Sequence, residues 1–369
     1  MFRSILVLVF WQVYNTTRSP SVVRIPSSRP SSIMRLIFLV LSFVVTVLGA
    51  ATYSNVTEDI YPRAGTFQNA IKTKDGSDPF MVYHEGFYYL TTTTWSNIQI
   101  TRATTINGLK TATPKVVWTD STASRCCSLW APEIHFVNGS WYIYYSAGTA
   151  KISDNQRLHA LKGSSNIIWD STWTFASEIM IPNHDVWSID GTLLVHSTGT
   201  YLVYSSFDGP DQCLWIAKLT SPTTVGNTVK ISTPTHDWEK VGASVNEGPA
   251  FLYRNGRTFM TYSASSCTGT GYKLGLIELT GSDPMNPSSW TKSPNPVFQT
   301  ANGNFQPGHN GFFLSPSNEI YNVYHANTVT PGRCDGSRYT NVQPVNFRSD
   351  GTPDFGEPRP LSENIPEPS

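Results

Sequence analysis

The chain has 369 residues, 14% of them charged and 12% aromatic, with 26 glycines and 25 prolines. That composition fits many short strands joined by turns and excludes a coiled coil or a disordered chain. Net charge is zero, but the first 51 residues carry five arginines (Arg3, Arg18, Arg24, Arg29, Arg35) and no acid, leaving 21 basic against 26 acidic residues, a net of −5, for the remainder. No basic patch points to nucleic acid, and a weakly acidic body suits an uncharged substrate such as a polysaccharide.

In chain order, residues 1–33 hold an apolar stretch, ILVLVFWQVY, and then RSPSVVRIPSSRPSS, which reads as disordered. We expect this prefix to be an extension ahead of the true start at Met34. Residues 34–51, MRLIFLVLSFVVTVLGAA, have one arginine, an apolar run and terminal small residues, the pattern of a secretory signal peptide cleaved after Ala50 or Ala51. A membrane anchor is the alternative, but the apolar run is short and ends in small residues. Residues 52–369 are then expected to form one secreted, monomeric domain with no membrane attachment. Two glycosylation sequons, Asn55-Val56-Thr57 and Asn138-Gly139-Ser140, agree with export. The cysteines number five (Cys126, Cys127, Cys213, Cys267, Cys334), so at least one is left over. Cys213–Cys267 and a vicinal Cys126–Cys127 bridge are candidates, spacing does not decide between them, and no zinc pattern is present.

Five stretches then repeat one design: a short strand, a turn and an aromatic-rich strand. They are SDPFMVYHEGFYYLTTT (77–93), APEIHFVNGSWYIYYSA (131–147), IDGTLLVHSTGTYLVYSS (189–206), NEGPAFLYRNGRTFMTYSA (246–264) and GHNGFFLSPSNEIYNVYHA (308–326). Turn signals such as Glu85-Gly86, Asn138-Gly139 and Asn255-Gly256 separate the strands, because these residues tolerate positive φ. A hairpin roughly every sixty residues is the period of a propeller blade enlarged by loops. The predicted fold is therefore all-β, a five-bladed β-propeller. A β-sandwich is the alternative, but sandwiches do not repeat residues at one position.

Counting back from each turn places Asp78, Ala131, Asp190, Glu247 and His309 in one column. Innermost propeller strands run along the axis, so this column converges at one channel mouth. Three carboxylates meeting there cannot all ionise normally, since like charge and burial raise at least one pKa. A protonated acid beside an ionised carboxylate is what glycoside hydrolysis requires. No phosphate loop, dinucleotide fingerprint or Ser-His-Asp elbow competes. Trp95, Trp130 and Trp187 lie near the mouth, and flat rings stack on sugar faces. Trp95 and Trp130 are the expected stacking contacts, and Ala131 and His309 are expected to bind substrate with them. Glu133, two residues past Ala131 on the same face of its strand, is expected to be structural.

The motifs SDPF, WAPEIH, SIDGTL, NEGPAFLY, GHNGFF and RYTNVQPVNF, in this order, resemble glycoside hydrolase family 43 over residues 65–362. The resemblance implies a five-bladed propeller and an inverting enzyme. It makes Asp78 similar to the general base, Glu247 to the general acid, and Asp190 to the third acid that tunes and orients Glu247. It makes His309 similar to the central histidine, which in some members holds calcium through water; no cofactor is otherwise required. Arg338 resembles an arginine that contacts the sugar. The wording of the first two stretches is most similar to exo-acting α-L-arabinofuranosidases that trim α-1,5-arabinan. Endo-arabinanase and β-xylosidase are alternatives within the family. An invertase-type glycosidase expects Arg-Asp-Pro where this chain has SIDGT, and a non-catalytic sugar-binding propeller would be expected to lack one of the three acids. Cys126-Cys127 beside Trp130 departs from the pattern and is expected to bear on the pocket.

Overall fold

The computed structural model describes residues 65–369 except Ile152. The expected extension 1–33, the signal peptide 34–51 and the Asn55 sequon lie outside the described residues. The described chain begins with β1 (Thr66–Phe67) and continues as five blades. Blade I is β2 (Ser77–His84), β3 (Phe87–Thr93), β4 (Ile98–Ala103) and β5 (Lys115–Trp118), with a one-turn helix α1 (Ile106–Leu109) in its last loop. Blade II is β6 (Cys127–Val137), β7 (Ser140–Gly148), β8 (Arg157–Gly163) and β9 (Trp173–Glu178). Blade III is β10 (Ser188–His196), β11 (Gly199–Asp208), β12 (Asp211–Ser221) and β13 (Thr224–Ser232). Blade IV is β14 (Asn246–Arg254), β15 (Arg257–Ala264), β16 (Lys273–Leu279) and β17 (Trp290–Lys292). Blade V is β18 (Phe305–Leu314), β19 (Ile320–Asn327) and β20 (Tyr339–Pro344). A small hairpin, β21 (Asn346–Phe347) with β22 (Pro353–Asp354), and a last strand β23 (Ile365–Pro366) follow. Each blade is an antiparallel meander in sequence order, which excludes the sandwich.

The predicted hairpins are the inner two strands of each blade. Glu85-Gly86, Asn138-Gly139 and Asn255-Gly256 all have positive φ at both turn positions, the mirror-image turn that matches strand twist. Asn138 of the second sequon is therefore exposed at a hairpin tip.

The strands are buried on both faces because blades stack on one another. Along β7, Trp141, Ile143, Tyr145 and Ala147 pack towards blade I, while Tyr142 and Tyr144 pack towards blade III. Five apolar clusters result, one at each junction between blades. Each fully buried ring contributes about 1.5–3 kcal/mol relative to exposure. This explains why the strands read as unbroken aromatic runs rather than as alternating ones.

Blade V supplies only three strands of its own. The fourth edge comes from the start of the described chain: Ile71 N–H donates to Thr340 O (2.7 Å), Thr340 N–H to Lys72 O (2.8 Å) and Gly76 N–H to Arg338 O (3.1 Å). The Asn69 amide brackets Val342, and β1 pairs with β23. Both ends of the described chain thus close the ring.

Candidate active site

All five inner strands break register at the same place. The breaks lie between Ser77 and Phe80, Trp130 and Glu133, Ile189 and Thr192, Glu247 and Ala250, and Gly308 and Gly311. The first residue inside each bulge has positive φ: Asp78 (51°), Ala131 (45°), Asp190 (57°), Gly248 (55°) and His309 (37°). The sequence column is thus corrected in blade IV. Gly248, not Glu247, is the equivalent of Asp78, Asp190 and His309. Glu247 pairs with Ser263 as Ser77 pairs with Thr93, Trp130 with Ser146, Ile189 with Ser205 and Gly308 with His325. It therefore projects from the position of the wall residues Trp130 and Ile189, one residue before the central ring. Gly248 is required there for two reasons. Its φ is positive, and a Cβ would stand 2.9 Å from the His309 ring.

A cavity of about 280 Å³ opens over this ring, lined by Asp78, Asp190, Glu247, His309, Arg338, Gln212, Ile189, Ser153, Cys267, Cys334 and the tryptophans Trp95, Trp130 and Trp187. Trp95 and Trp130 meet edge to face, with ring centroids 5.7 Å apart, so both predicted aromatic contacts form one wall. Ala131 is a correction. It occupies the blade II slot of the ring but is buried, does not line the cavity, and spends its N–H on Thr93 Oγ1 (2.8 Å). Glu133 is also outside the cavity, paired with His135 Nε2 at 2.7 Å.

The carboxylates sit in opposite surroundings. Asp78 Oδ2 accepts from Thr93 Oγ1 (2.7 Å), and its Oδ1 lies 3.2 Å from Arg338 Nη1, 3.3 Å from His325 Nδ1 and 3.4 Å from His309 Nδ1. Burial alone would raise its pKa, but Arg338, His309 and His325 together hold it well below the usual carboxylate range. Glu247 has no cation in hydrogen-bond contact. Tyr272 Oη donates to Oε1 (2.8 Å) and Gln212 Nε2 to Oε2 (2.9 Å). Burial raises the Glu247 pKa, and the charge of Asp78 adds to it. Asp190 Oδ2 accepts from the Gly248 N–H (3.0 Å) and lies 3.8 Å from His309 Nδ1. Burial, with the charges of Glu247 and Asp78, pushes Asp190 up to about 7. His309 is depressed by burial, but Asp190 and Asp78 outweigh this and raise it.

The sequence missed a second ring. In the third strands, Leu158, Leu214, Leu274 and Thr340 are equivalent, opposite Ser146, Ser205, Ser263 and His325. Two residues earlier stand Gln156, Gln212, Tyr272 and Arg338, all buried; the last three reach Glu247 or Asp78, whereas Gln156 Nε2 donates to Ser128 O (3.3 Å). Arg338 was anticipated; Gln212 and Tyr272, which hold Glu247, were not. The signal was present in DQCL, GYKL and SRYT, but it becomes legible only once the third strands are registered.

Two cysteine expectations change. Cys126–Cys127 is bridged, but Cys267 pairs with Cys334, not with Cys213. Cys213 is fully buried in β12. The bridge that lines the cavity is Cys267–Cys334, between the loops after β15 and β19; Cys126–Cys127 does not line it. Among the described residues no group of three His, Cys, Asp or Glu side chains is arranged to hold a metal directly. No helix among them is long and apolar enough to cross a membrane.

The sequence profile of Glycosyl hydrolases family 43 matches residues 67–353. The chain is 35% identical over 341 residues to an extracellular exo-α-(1→5)-L-arabinofuranosidase of Streptomyces avermitilis, covering 88% of this chain and 70% of that one. It is 37% identical over 337 residues to α-L-arabinofuranosidase 43 of Humicola insolens, covering 86% and 68%. Among solved structures, the α-L-arabinofuranosidase of Lactobacillus brevis matches with a TM-score of 0.75 at 33% identity, over 80% of this chain and 98% of that one. With its five blades and a carboxylate-lined cavity over their common axis, the chain belongs to glycosyl hydrolase family 43 and is a glycoside hydrolase acting on a polysaccharide or oligosaccharide.

Proposed function

We propose that the protein is a secreted, exo-acting α-L-arabinofuranosidase that releases L-arabinofuranose from arabinan with inversion. Asp78 is the general base. It takes a proton from a water whose oxygen attacks the anomeric carbon. Glu247 is the general acid. It gives its proton to the glycosidic oxygen as that bond breaks. The two carboxyls stand roughly 6.5–9.5 Å apart in inverting enzymes, which leaves room for the water. Asp190 accepts from the peptide N–H that immediately follows Glu247, so it fixes the backbone of the acid. Arg338 anchors the base and borders the sugar. No cofactor enters the reaction.

The observation that carries this reading is the asymmetry across one cavity. Asp78 is surrounded by Arg338 and two histidines, whereas Glu247 is held by neutral donors only. One group is thereby poised ionised and the other protonated. The substrate and export readings draw on the names of the relatives. Exo action is further supported by a cavity of about 280 Å³, small for a ligand site and walled by three tryptophans.

The test is the product profile from linear α-1,5-arabinan, followed over time by chromatography. Arabinose alone from the first time point is expected. A ladder of oligomers would mean endo-arabinanase action, and release only from xylosides would mean a β-xylosidase.

A further inference from the structure

We infer that His325 is a positioning residue that locks the base Asp78 and Arg338 against each other, at a place where the other blades carry only a Ser or Thr. The inference rests on the proposed role of Asp78.

The second inner strands end in an equivalent column: Thr93, Ser146, Ser205, Ser263 and His325. Three of the small residues tie their blade to the next one. Thr93 Oγ1 accepts from Ala131 N–H (2.8 Å), Ser263 Oγ accepts from His309 N–H (2.7 Å), and Ser205 Oγ donates to Asn246 O (2.8 Å). Ser146 Oγ has no such bond. At the closing junction His325 Nδ1 stands 3.1 Å from the Asp78 nitrogen, so a larger side chain occupies the place of the hydroxyl tie. A tie alone needs only a hydroxyl.

The extra atoms reach further. Nε2 of His325 lies 3.3 Å from Arg338 Nη1, the same nitrogen that stands 3.2 Å from Asp78 Oδ1; a guanidinium only donates, so Nε2 accepts there and the ring hydrogen sits on Nδ1, 3.3 Å from Asp78 Oδ1. The ring stacks on Tyr272, with centroids 5.7 Å apart and planes 8° from parallel, and Tyr272 is the donor to Glu247. One imidazole therefore touches the partner of the base, the base itself and the partner of the acid. It is fully buried, and a protonated ring would have no lone pair left for the Arg338 N–H. Burial and the Arg338 charge hold its pKa down to about 3, so the ring is neutral near neutral pH.

Asp78 is faced by Thr93 from β3, His309 from β18, His325 from β19 and Arg338 from the residue before β20, with the carboxyls of Asp190 and Glu247 nearby. Loss of His325 frees Arg338 and removes one group that lowers the Asp78 pKa. The acid limb of the rate profile should then move to higher pH.

The test uses His325→Ser, which installs the residue the other junctions use, and His325→Asn, whose amide stands where Nδ1 stood. Both keep a hydrogen-bonding group beside Asp78 and neither reaches Arg338. With an aryl α-L-arabinofuranoside, each variant is expected to keep a cooperative melt while kcat falls on the order of 10²-fold, the cost of a misplaced catalytic group. The acid limb of kcat/KM is expected to rise by about one pH unit, since the support of the base has weakened. Wild-type kcat and an unmoved limb in a folded variant would overturn the inference. So would a parallel loss of stability and activity with an unchanged pH profile, which marks a tie between blades and nothing more. Asp78→Asn is measured alongside. If that variant keeps full activity, the proposed base is wrong; if it is inactive while His325→Ser is normal, only the role of His325 falls.

Discussion

At the scale of single residues, what separates the carboxylates is the identity of their neighbours. Asp78 faces Arg338, and Glu247 faces the tyrosine and glutamine at the equivalent third-strand positions of blades IV and III. The proposed acid is tested with Glu247→Gln, which keeps the shape and one accepting oxygen but cannot give a proton. Turnover of arabinan should fall roughly 10²- to 10⁴-fold. An aryl substrate whose leaving group needs no proton should lose far less, and equal losses on both would remove Glu247 from the acid role. Asp190 makes a stability prediction. Its folded pKa of about 7 lies above its ordinary value of 3.8. The sign follows from linkage: its contribution is full below pH 3.8 and disappears as pH rises through 7. The wild-type Tm should therefore drop between those limits relative to Asp190→Asn, whose profile should be flatter. Matching profiles would mean that Asp190 ionises normally.

At the scale of the strand, the bulge is the device that builds the site. An unbroken inner strand would keep its central residue inside a blade junction. One extra residue in the left-handed region breaks the register five times over, and in blades I, III and V it turns Asp78, Asp190 and His309 onto the cavity. The hairpins were legible because turn chemistry and aromatic runs are local properties of the chain. The offset of Glu247 was not. NEGPA and SDPF look alike whether the acid or the glycine is matched to Asp78, and only cross-strand pairing distinguishes them. Gly248→Ala tests this placement. A left-handed alanine costs about 1–2 kcal/mol, and its Cβ would press on His309 as well. Thermal unfolding should show at least that loss, with kcat falling too. A neutral substitution would mean that blade IV tolerates another backbone path.

At the scale of the whole molecule, stability comes from five similar junctions, so the closing one matters most. Residues 69–76 complete blade V, and Cys267–Cys334 ties its last loop to blade IV at the cavity wall. Cys334→Ser should lower stability by about 2–4 kcal/mol, read by denaturant unfolding. KM should rise as well, because the bridge lines the cavity; an unchanged KM would separate the bridge from substrate binding.

The sequence by itself determined the repeat, the turns and the acids, because each depends on residues close together in the chain. It also carried the family motifs. Only the tertiary structure decided the cysteine partners, the withdrawal of Ala131 into a junction, and the ring of Gln212, Tyr272 and Arg338 that divides the acids into two kinds. These depend on which strand ends meet at the axis. His325 shows the boundary between the two. Its place at the end of NVYHA, among four Ser or Thr counterparts, was open to view in the chain. Its meaning required Asp78, 247 residues away, to arrive at its ring.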